Sequence, residues 1–202
     1  MKKTTFSRET PAVSGLACLL ISIVIILFIS TENLKAQYYF GAGAVYKNPI
    51  GIMSDVNKPA FGINFQFESR QYCLWWFGLR VDYFSLQEAE DIEIGADSFE
   101  SEFTISPGLR YNFLGEDCYK YDIVPYAQFM LRISSITGTD ELDPLGLGAA
   151  AGIGAAFSFS FMNVCSMIDF NALYNSPNMI LLNEDRDVLQ SIDIALTLSF
   201  RL

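Results

Sequence analysis

The stretch Leu145–Phe161, LGLGAAAGIGAAFSFSF, decides the fold class of this chain. Its odd positions hold Leu, Ile, Ala and three Phe residues, whereas every even position is Gly, Ala or Ser. A period of two predicts a β-strand, because successive side chains of a strand point to opposite faces. Neither face carries a charge, so neither suits water. The small face suits a crowded barrel interior and the bulky face suits lipid, which indicates a strand of a membrane-spanning β-barrel.

Seven further stretches alternate in the same way. The eight segments are residues 38–46, 61–69, 74–85, 99–113, 123–134, 145–161, 166–174 and 188–202. Each is at or near the ~9–11 residues that a tilted membrane-spanning strand needs. An even number of strands lets the sheet close with both termini on one side, and closure leaves no unpaired edge in lipid. The sequence therefore predicts an all-β fold, an eight-stranded antiparallel up-and-down barrel.

The connections between these segments alternate in length. Those around 70–73, 114–122 and 162–165 are shorter, and those around 47–60, 86–98, 135–144 and 175–187 are longer. Short periplasmic turns and long external loops are typical of outer-membrane barrels. Pro107 lies within the fourth segment, where a barrel has no free edge and a proline cannot donate to the ladder. We therefore expect a β-bulge at Ser106–Pro107.

The first 36 residues have the layout of a secretory signal. Lys2, Lys3 and Arg8 precede an apolar run at 15–29, and Leu34-Lys35-Ala36 follows it. The run is shorter than the ~20 residues of a transmembrane helix, so we expect cleavage after Ala36 rather than a retained anchor. The predicted organisation is a signal peptide at 1–36 and a barrel domain at 37–202.

Composition excludes several functions. Residues 37–202 hold 9 of the 13 basic and 21 of the 23 acidic residues, a net charge of −12. Nucleic-acid binding is disfavoured, because phosphate contacts need a basic face. The chain has no histidine, the commonest general base and metal ligand, and no CxxC pair, so neither a metal site nor another cofactor is expected. A barrel enzyme acting on lipid or peptide is left with a carboxylate-only mechanism.

The predicted inward faces carry charged side chains. They are Glu68, Arg80, Asp82, Glu102, Arg110, Arg132, Asp169, Asp193 and Arg201. Buried charges must be paired or hydrogen-bonded, and eight strands leave room only for side chains. We therefore expect a polar plug made of ion pairs, with a gated ion path as the alternative.

The second external loop and its flanks are acidic. Its carboxylates are Glu88, Glu90, Asp91, Glu93, Asp97, Glu100 and Glu102, and the third loop adds Asp140, Glu141 and Asp143. Clustered carboxylates can hold Ca²⁺, but EF-hand spacing is missing and charge runs are usually solvated. We expect a solvated acidic surface that is open to an extracellular partner. The apolar run 179–182 in the fourth loop either marks a partner site or packs over the barrel mouth.

Aromatic residues lie near the strand ends, and cysteines lie near the short turns. Trp75, Tyr83, Tyr111, Tyr126 and Tyr174 fit the aromatic girdles of a membrane barrel, except that Tyr126 points inward. Cys73, Cys118 and Cys165 fall in or beside the short turns. We expect a disulfide between Cys73 and Cys118, which leaves Cys165 free, with three free thiols as the alternative.

By these features the chain resembles the eight-stranded outer-membrane barrels of the OmpA and OmpX type. The resemblance covers residues 37–202 and includes the last strand, SIDIALTLSFRL. Leu198, Phe200 and Leu202 match the apolar positions of the C-terminal signal read by the barrel-assembly machinery. Many members end on an aromatic residue, whereas Phe200 is third from the end here.

The resemblance implies a monomeric barrel in contact with outer-membrane lipid of a Gram-negative-type bacterium. Its implied roles range from structural support to adhesion and surface protection, and no catalytic residue carries over. We expect a non-enzymatic barrel. A narrow porin-like channel, a lipid-modifying enzyme and a soluble lipocalin-like barrel on a retained helix are the alternatives.

Overall fold

The computed structural model describes residues 37–70, 74–88, 100–114, 122–137, 145–177 and 188–202. The strands in this part of the chain are β1 (Gln37–Ile50), β2 (Asn57–Lys58), β3 (Ala60–Arg70), β4 (Trp75–Ser85), β5 (Gln87–Glu88), β6 (Ser101–Asn112), β7 (Asp122–Thr137), β8 (Leu145–Phe161), β9 (Val164–Ser176) and β10 (Gln190–Arg201). A short helix, α1 (Ile52–Val56), follows β1. No helix in the described ranges is long and apolar enough to cross a membrane. The predicted signal peptide lies outside them.

Eight of these strands close a barrel. Their order is β1-β10-β9-β8-β7-β6-β4-β3, and β3 pairs with β1 to complete the ring. Every neighbouring pair is antiparallel. Strands β2 and β5 form a separate two-stranded ladder within the connections that follow β1 and β4. The predicted eight-stranded antiparallel up-and-down barrel is confirmed.

The barrel has two rims, which we name by what they hold. The terminal rim holds Gln37, Arg201 and the connections 71–74, 113–121 and 162–163. The loop rim holds the connections 51–59, 86–100, 138–144 and 177–189. Strand β7 continues to Thr137, beyond its predicted end at Ser134, so the connection 138–144 is shorter than 113–121. The predicted alternation of connection lengths is therefore wrong for this pair.

The barrel has apolar side chains outside and polar side chains inside, which is the reverse of the arrangement in a soluble protein. Large apolar side chains are exposed on the outer face of every barrel strand, and on β8 the side chain of Ile153 is 68% exposed. The inner faces carry most of the buried polar and charged residues. Gly154 is one of the small inward residues of β8, and a Cβ atom at its position would lie 2.3 Å from Tyr126 Oη. The small face thus makes room for large inward side chains, while the bulky face suits lipid.

The strand pairing around Pro107 contains no bulge. Strand β6 pairs with β4 without a shift across Leu79–Pro107. It pairs with β7 in one register on both sides of the proline, at Ile105–Ile133 and at Gly108–Met130. The proline interrupts the ladder to β7 but adds no extra residue, because a missing N–H removes a donor without changing the register. The expected bulge at Ser106–Pro107 is therefore wrong.

Candidate functional site

Charged side chains fill the interior in the half near the loop rim. Lys47 of β1 pairs with Glu102 of β6, and both side chains are fully buried. Arg132 of β7 places Nη1 at 3.2 Å from an oxygen of Asp193 and Nη2 at 3.4 Å from an oxygen of Asp82. The second Glu102 oxygen lies 4.0 Å from Arg132 Nη2. These five residues, from five strands, form one group of ion pairs.

The half near the terminal rim is organised around Arg110 of β6. Its Nη1 atom lies 2.8 Å from Asp169 Oδ2 and 3.2 Å from Glu68 Oε2. Its guanidinium carbon lies 3.8 Å from the ring centroid of Tyr126 and 4.8 Å from that of Trp76. Tyr126 Oη donates to Asp169 Oδ1 at 2.5 Å. Arg110 is thus held by two carboxylates and by the faces of two aromatic rings.

Asn171 of β9 connects the two halves. Arg80 Nε donates to Asp82 Oδ1 at 2.7 Å, and Arg80 Nη1 donates to Asn171 Oδ1 at 3.0 Å. The amide nitrogen of Asn171 in turn donates to Asp169 Oδ1 at 3.0 Å. A continuous series of polar contacts therefore runs through the barrel from the Lys47 pair to the Arg110 pair.

The network nearly balances its own charge. It contains four cations, Lys47, Arg80, Arg110 and Arg132, and five carboxylates, Glu68, Asp82, Glu102, Asp169 and Asp193, all of them buried. Each carboxylate has a cation within ion-pair distance, as buried charges require. Arg80 Nη2 and Arg132 Nε have no hydrogen-bond partner in the part of the chain that the structure describes. Such buried donors commonly bind ordered water in proteins.

Apolar clusters lie at both ends of this polar section. The loop-rim cap consists of Val45, Met53, Ala60, Phe84, Leu86, Leu189 and Ala195. The terminal cap consists of Tyr39, Trp76, Tyr126, Ala156, Cys165 and Met167. Apolar surroundings lower the local dielectric constant, which strengthens each paired contact between them. The described residues include no group of three or more Cys, Asp or Glu that could hold a metal ion.

The network differs from the predicted set at two positions. Eight of the nine predicted charges belong to it, but Arg201 does not. Arg201 is only partly buried, at the terminal end of β10, and it makes no ion pair with any described residue. Lys47 is an interior cation outside the predicted set, because the predicted strand ended at Tyr46 whereas β1 continues to Ile50. Gly41 and Gly43 occupy odd positions of that strand, like the small inward residues of 145–161, so one more residue of the same alternation would have identified Lys47.

Glu102 belongs to the interior and not to the acidic surface. It is fully buried against Lys47, whereas its neighbour Glu100 is exposed. The other acidic loop positions, Glu90, Asp91, Glu93, Asp97, Asp140, Glu141 and Asp143, lie outside the described residues, as do the side chain of Glu88 and the apolar run 179–182. The predicted acidic surface therefore loses Glu102, because the inward parity of β6 places this carboxylate among the ion pairs.

Aromatic and C-terminal residues take outward positions on the barrel. Trp75, Tyr83 and Tyr174 are exposed near strand ends, and Tyr111 packs against Trp75 with ring centroids 4.8 Å apart. Tyr126 is buried inside. Leu198, Phe200 and Leu202 are exposed on the outer face or at the end of the last strand. Their recognition by the barrel-assembly machinery stays a prediction.

The cysteines do not follow the expected assignment. Cys165 is buried at the terminal rim, with its Sγ atom 3.6 Å from Tyr39 Oη, and it is disulfide-bonded. Cys73 and Cys118 lie outside the described residues. The expectation that Cys165 is the spare thiol is therefore wrong. A bond between Cys73 and Cys118 would require Cys165 to find its partner outside residues 37–202.

A closed eight-stranded sheet with an apolar exterior and an ion-paired interior defines a small membrane β-barrel. The chain is similar to the crystal structure of neisserial surface protein A, with 15% identity and a TM-score of 0.58 over 83% of this chain and 99% of that one. The N-terminal β-barrel domain of Pseudomonas aeruginosa OprF matches with 12% identity and a TM-score of 0.49 over 83% and 100%. Ail, the attachment invasion locus protein of Yersinia pestis, matches with 13% identity and a TM-score of 0.47 over 83% and 97%.

These matches concern the fold. The first match shows a shared architecture and not a shared activity, because its sequence identity is low. The two matches with TM-scores below 0.5 support no inference about structure or function. No protein-family model matches the chain, and no curated protein matches it by sequence. The predicted resemblance to small eight-stranded outer-membrane barrels is confirmed as a resemblance of fold.

The substitution Arg110→Ala should destabilise the barrel by about 3–5 kcal/mol, because it removes the cation shared by two buried carboxylates. Arg201→Ala is the matched control, since it removes the same kind of side chain outside the network. We expect it to change the free energy of unfolding by less than about 0.5 kcal/mol. Reversible urea unfolding of both variants in lipid vesicles measures the difference. Equal losses would contradict the assigned network.

Cys165 should resist alkylation until the protein is reduced. We expect the unfolded, unreduced mature protein to show Cys165 without alkylation, in a peptide linked through the disulfide to its partner, and the reduced protein to show Cys165 fully alkylated. Mass spectrometry of the digested samples measures both states, and the unreduced digest identifies the bonded partner. An alkylated Cys165 before reduction would show that the disulfide does not form.

Proposed function

We propose that this chain is a small, non-enzymatic outer-membrane barrel with a plugged interior and a structural or surface-interaction role. The observation that carries the proposal is the series of buried ion pairs between two apolar caps. A conducting path would require these pairs to separate, and unpaired charges in such surroundings cost several kcal/mol. The plug also agrees with the strand number, since the interior of an eight-stranded barrel is just wide enough to be filled by side chains.

The chemistry of the interior supports a non-enzymatic role. Acid–base and nucleophilic catalysis usually need a histidine or another activated group, and the chain has no histidine. The five interior carboxylates are each within ion-pair distance of an arginine or lysine. Each carboxylate therefore has a cationic partner within the protein, with Arg110 shared by Glu68 and Asp169, which leaves none of them as an isolated base.

The exterior supports a place in the outer membrane. Exposed Phe, Ile and Leu residues surround the barrel, opposite to the arrangement of a soluble lipocalin-like barrel. In this proposal the chain is exported by its signal peptide and inserted as a monomer by the barrel-assembly machinery, with Leu198, Phe200 and Leu202 as the recognised positions.

The distribution of charge supports a loop rim that faces the cell exterior. The connections of the loop rim contain thirteen acidic residues and two basic residues. Those of the terminal rim contain two acidic residues and one basic residue. Two of the three terminal-rim connections, 71–74 and 162–163, are also shorter than every loop-rim connection, and short turns are typical of the periplasmic side. We propose that the loop rim contacts an extracellular partner with a positively charged surface. Cross-linking on intact cells would identify it.

The mature protein should be recovered from the outer-membrane fraction with its N-terminus near Gln37. The expected cause is removal of the signal peptide followed by barrel insertion. N-terminal mass spectrometry of fractionated membranes measures both properties. Recovery in the inner membrane with residues 15–29 intact would overturn the proposed location.

Purified residues 37–202 should give no steady conductance in a planar lipid bilayer. The ion pairs and the two caps are expected to keep the interior closed to ions. Single-channel recording measures this directly, with heat-modifiable gel mobility as the control for a folded barrel. Resolvable, steady channels from the wild-type protein would defeat the plug and favour the porin-like alternative.

A further inference from the structure

Helix α1 contributes a fully buried side chain to the loop-rim cap. Met53, its second residue, has no exposed surface and packs in the cluster with Val45, Phe84 and Ala195, which point inward from the barrel strands. The preceding helix residue, Ile52, is 45% exposed. Because neighbouring helix residues point in different directions, α1 presents one apolar side chain to the barrel mouth and the next to its surroundings.

The two caps are held in different ways. Every residue of the terminal cap projects from a barrel strand, so moving that cap would require breaking the barrel ladder. The loop-rim cap instead takes Met53 from a five-residue helix and takes Leu86 and Leu189 from connections. Within the described ranges, the helix is followed by the ladder of β2 and β5, which has two residue pairs and a hydrogen bond from Asn57 Nδ2 to the Gln87 carbonyl at 3.2 Å. Segments with few backbone hydrogen bonds open most readily, so the loop-rim cap is the weaker of the two.

The start of α1 also favours movement as a unit. Gly51 has φ +58° and ψ −141° and provides no side-chain cap for the helix. Glycine adopts a positive φ with little strain, so it is well suited to be a pivot between the rigid end of β1 and the helix. At this end the Ser54 N–H donates to the Gly51 carbonyl at 2.9 Å and the Ser54 hydroxyl donates to the same oxygen at 2.5 Å, so both bonds lie within a single helical turn.

A charged pair lies directly beneath the cap. Lys47 Nζ pairs with Glu102 and lies 4.3 Å from the ring centroid of Phe84, which is itself a member of the loop-rim cap. Water at this point would solvate the ammonium group and weaken the ion pair. The accessibility of Lys47 therefore reports whether the cap is open or closed.

We propose that α1 is a hinged lid on the barrel, with Gly51 as its pivot and Met53 as its seal. Opening of the lid exposes the Lys47–Glu102 pair to small water-soluble molecules from the loop rim, while the terminal cap stays closed. The inference rests on the proposed plugged interior, and it adds that only one of the two ends opens.

The test compares the same substitution at two adjacent helix positions of the mature chain in lipid vesicles. A small amine-reactive reagent is added, and mass spectrometry measures the labelling rate of Lys47 in each variant relative to the wild type. Met53→Gln should increase the relative rate by about 10- to 100-fold, the change expected from losing the burial of one methionine side chain. Ile52→Gln, the matched control, should leave it within about twofold, because that side chain is already exposed.

Several outcomes would overturn the lid. Equal rates in Met53→Gln and Ile52→Gln would do so, as would wild-type labelling of Lys47 as fast in the folded protein as in the unfolded protein. Met53→Ala tests the same seal without added polarity where the glutamine variant fails to fold. Neither variant should conduct in a planar bilayer, because the terminal cap is unchanged. A failed labelling result with a non-conducting wild type refutes the lid alone, whereas a conducting wild type refutes the plugged interior itself.

Discussion

The ladder between β1 and β10 is the interaction on which the barrel depends, because it removes the last open edges of the sheet. No water is present in hydrocarbon to satisfy a free N–H or C=O group, so an open edge would be costly at every residue. The pairing runs from Tyr39–Arg201 to Ile50–Gln190 and covers the whole of β10. Its register also decides which side chains point inward, since a shift of one residue would turn the charged side chains toward lipid.

Closure limits what the interior can hold. Eight strands enclose a space that side chains fill, and the inward positions of β8 are small along its whole length. Gly154 leaves the space that the ring of Tyr126 occupies, and that ring in turn supports the guanidinium of Arg110. Small residues on one wall and large ones on the others pack together as in a soluble core. The difference is that ion pairs replace much of the aliphatic packing.

Local pattern predicts some of this arrangement and not the rest. The period of two and the missing charges on β8 predict the fold class, and parity alone places Arg80, Arg110 and Arg132 inside. Arg80 pairs with Asp82 of its own strand, but the carboxylates that Arg110 and Arg132 contact lie on strands that are distant in sequence. The bridge through Asn171 depends on distant strands in the same way. The effect of Pro107 also depends on both neighbouring strands, because a proline can interrupt a ladder with or without a change of register.

The ends of strands, like the partners of the buried charges, are poorly predicted from local sequence. Lys47 is followed by Asn48 and Pro49, residue types that usually indicate a loop, although β1 continues to Ile50. Its pairing with β10 extends the strand, because twelve consecutive ladder positions outweigh the local preference of two residues. Arg201 has the right parity and lies too close to the rim to contact the buried carboxylates. Whether a side chain belongs to the network thus depends on its depth in the barrel as well as on its parity.

The interior also sets the charge of the surface. Residues 37–202 carry a net charge of −12, and the buried network of four cations and five carboxylates accounts for −1 of it. The remaining −11 belongs to residues outside the network, which include only five basic side chains. Surface charges act over about 8 Å at physiological ionic strength, so this excess acts locally, where the loop-rim connections concentrate their carboxylates. The basic residues that fill the barrel are unavailable to neutralise its rim, and the plug and the acidic rim are therefore two consequences of one distribution of arginine and lysine.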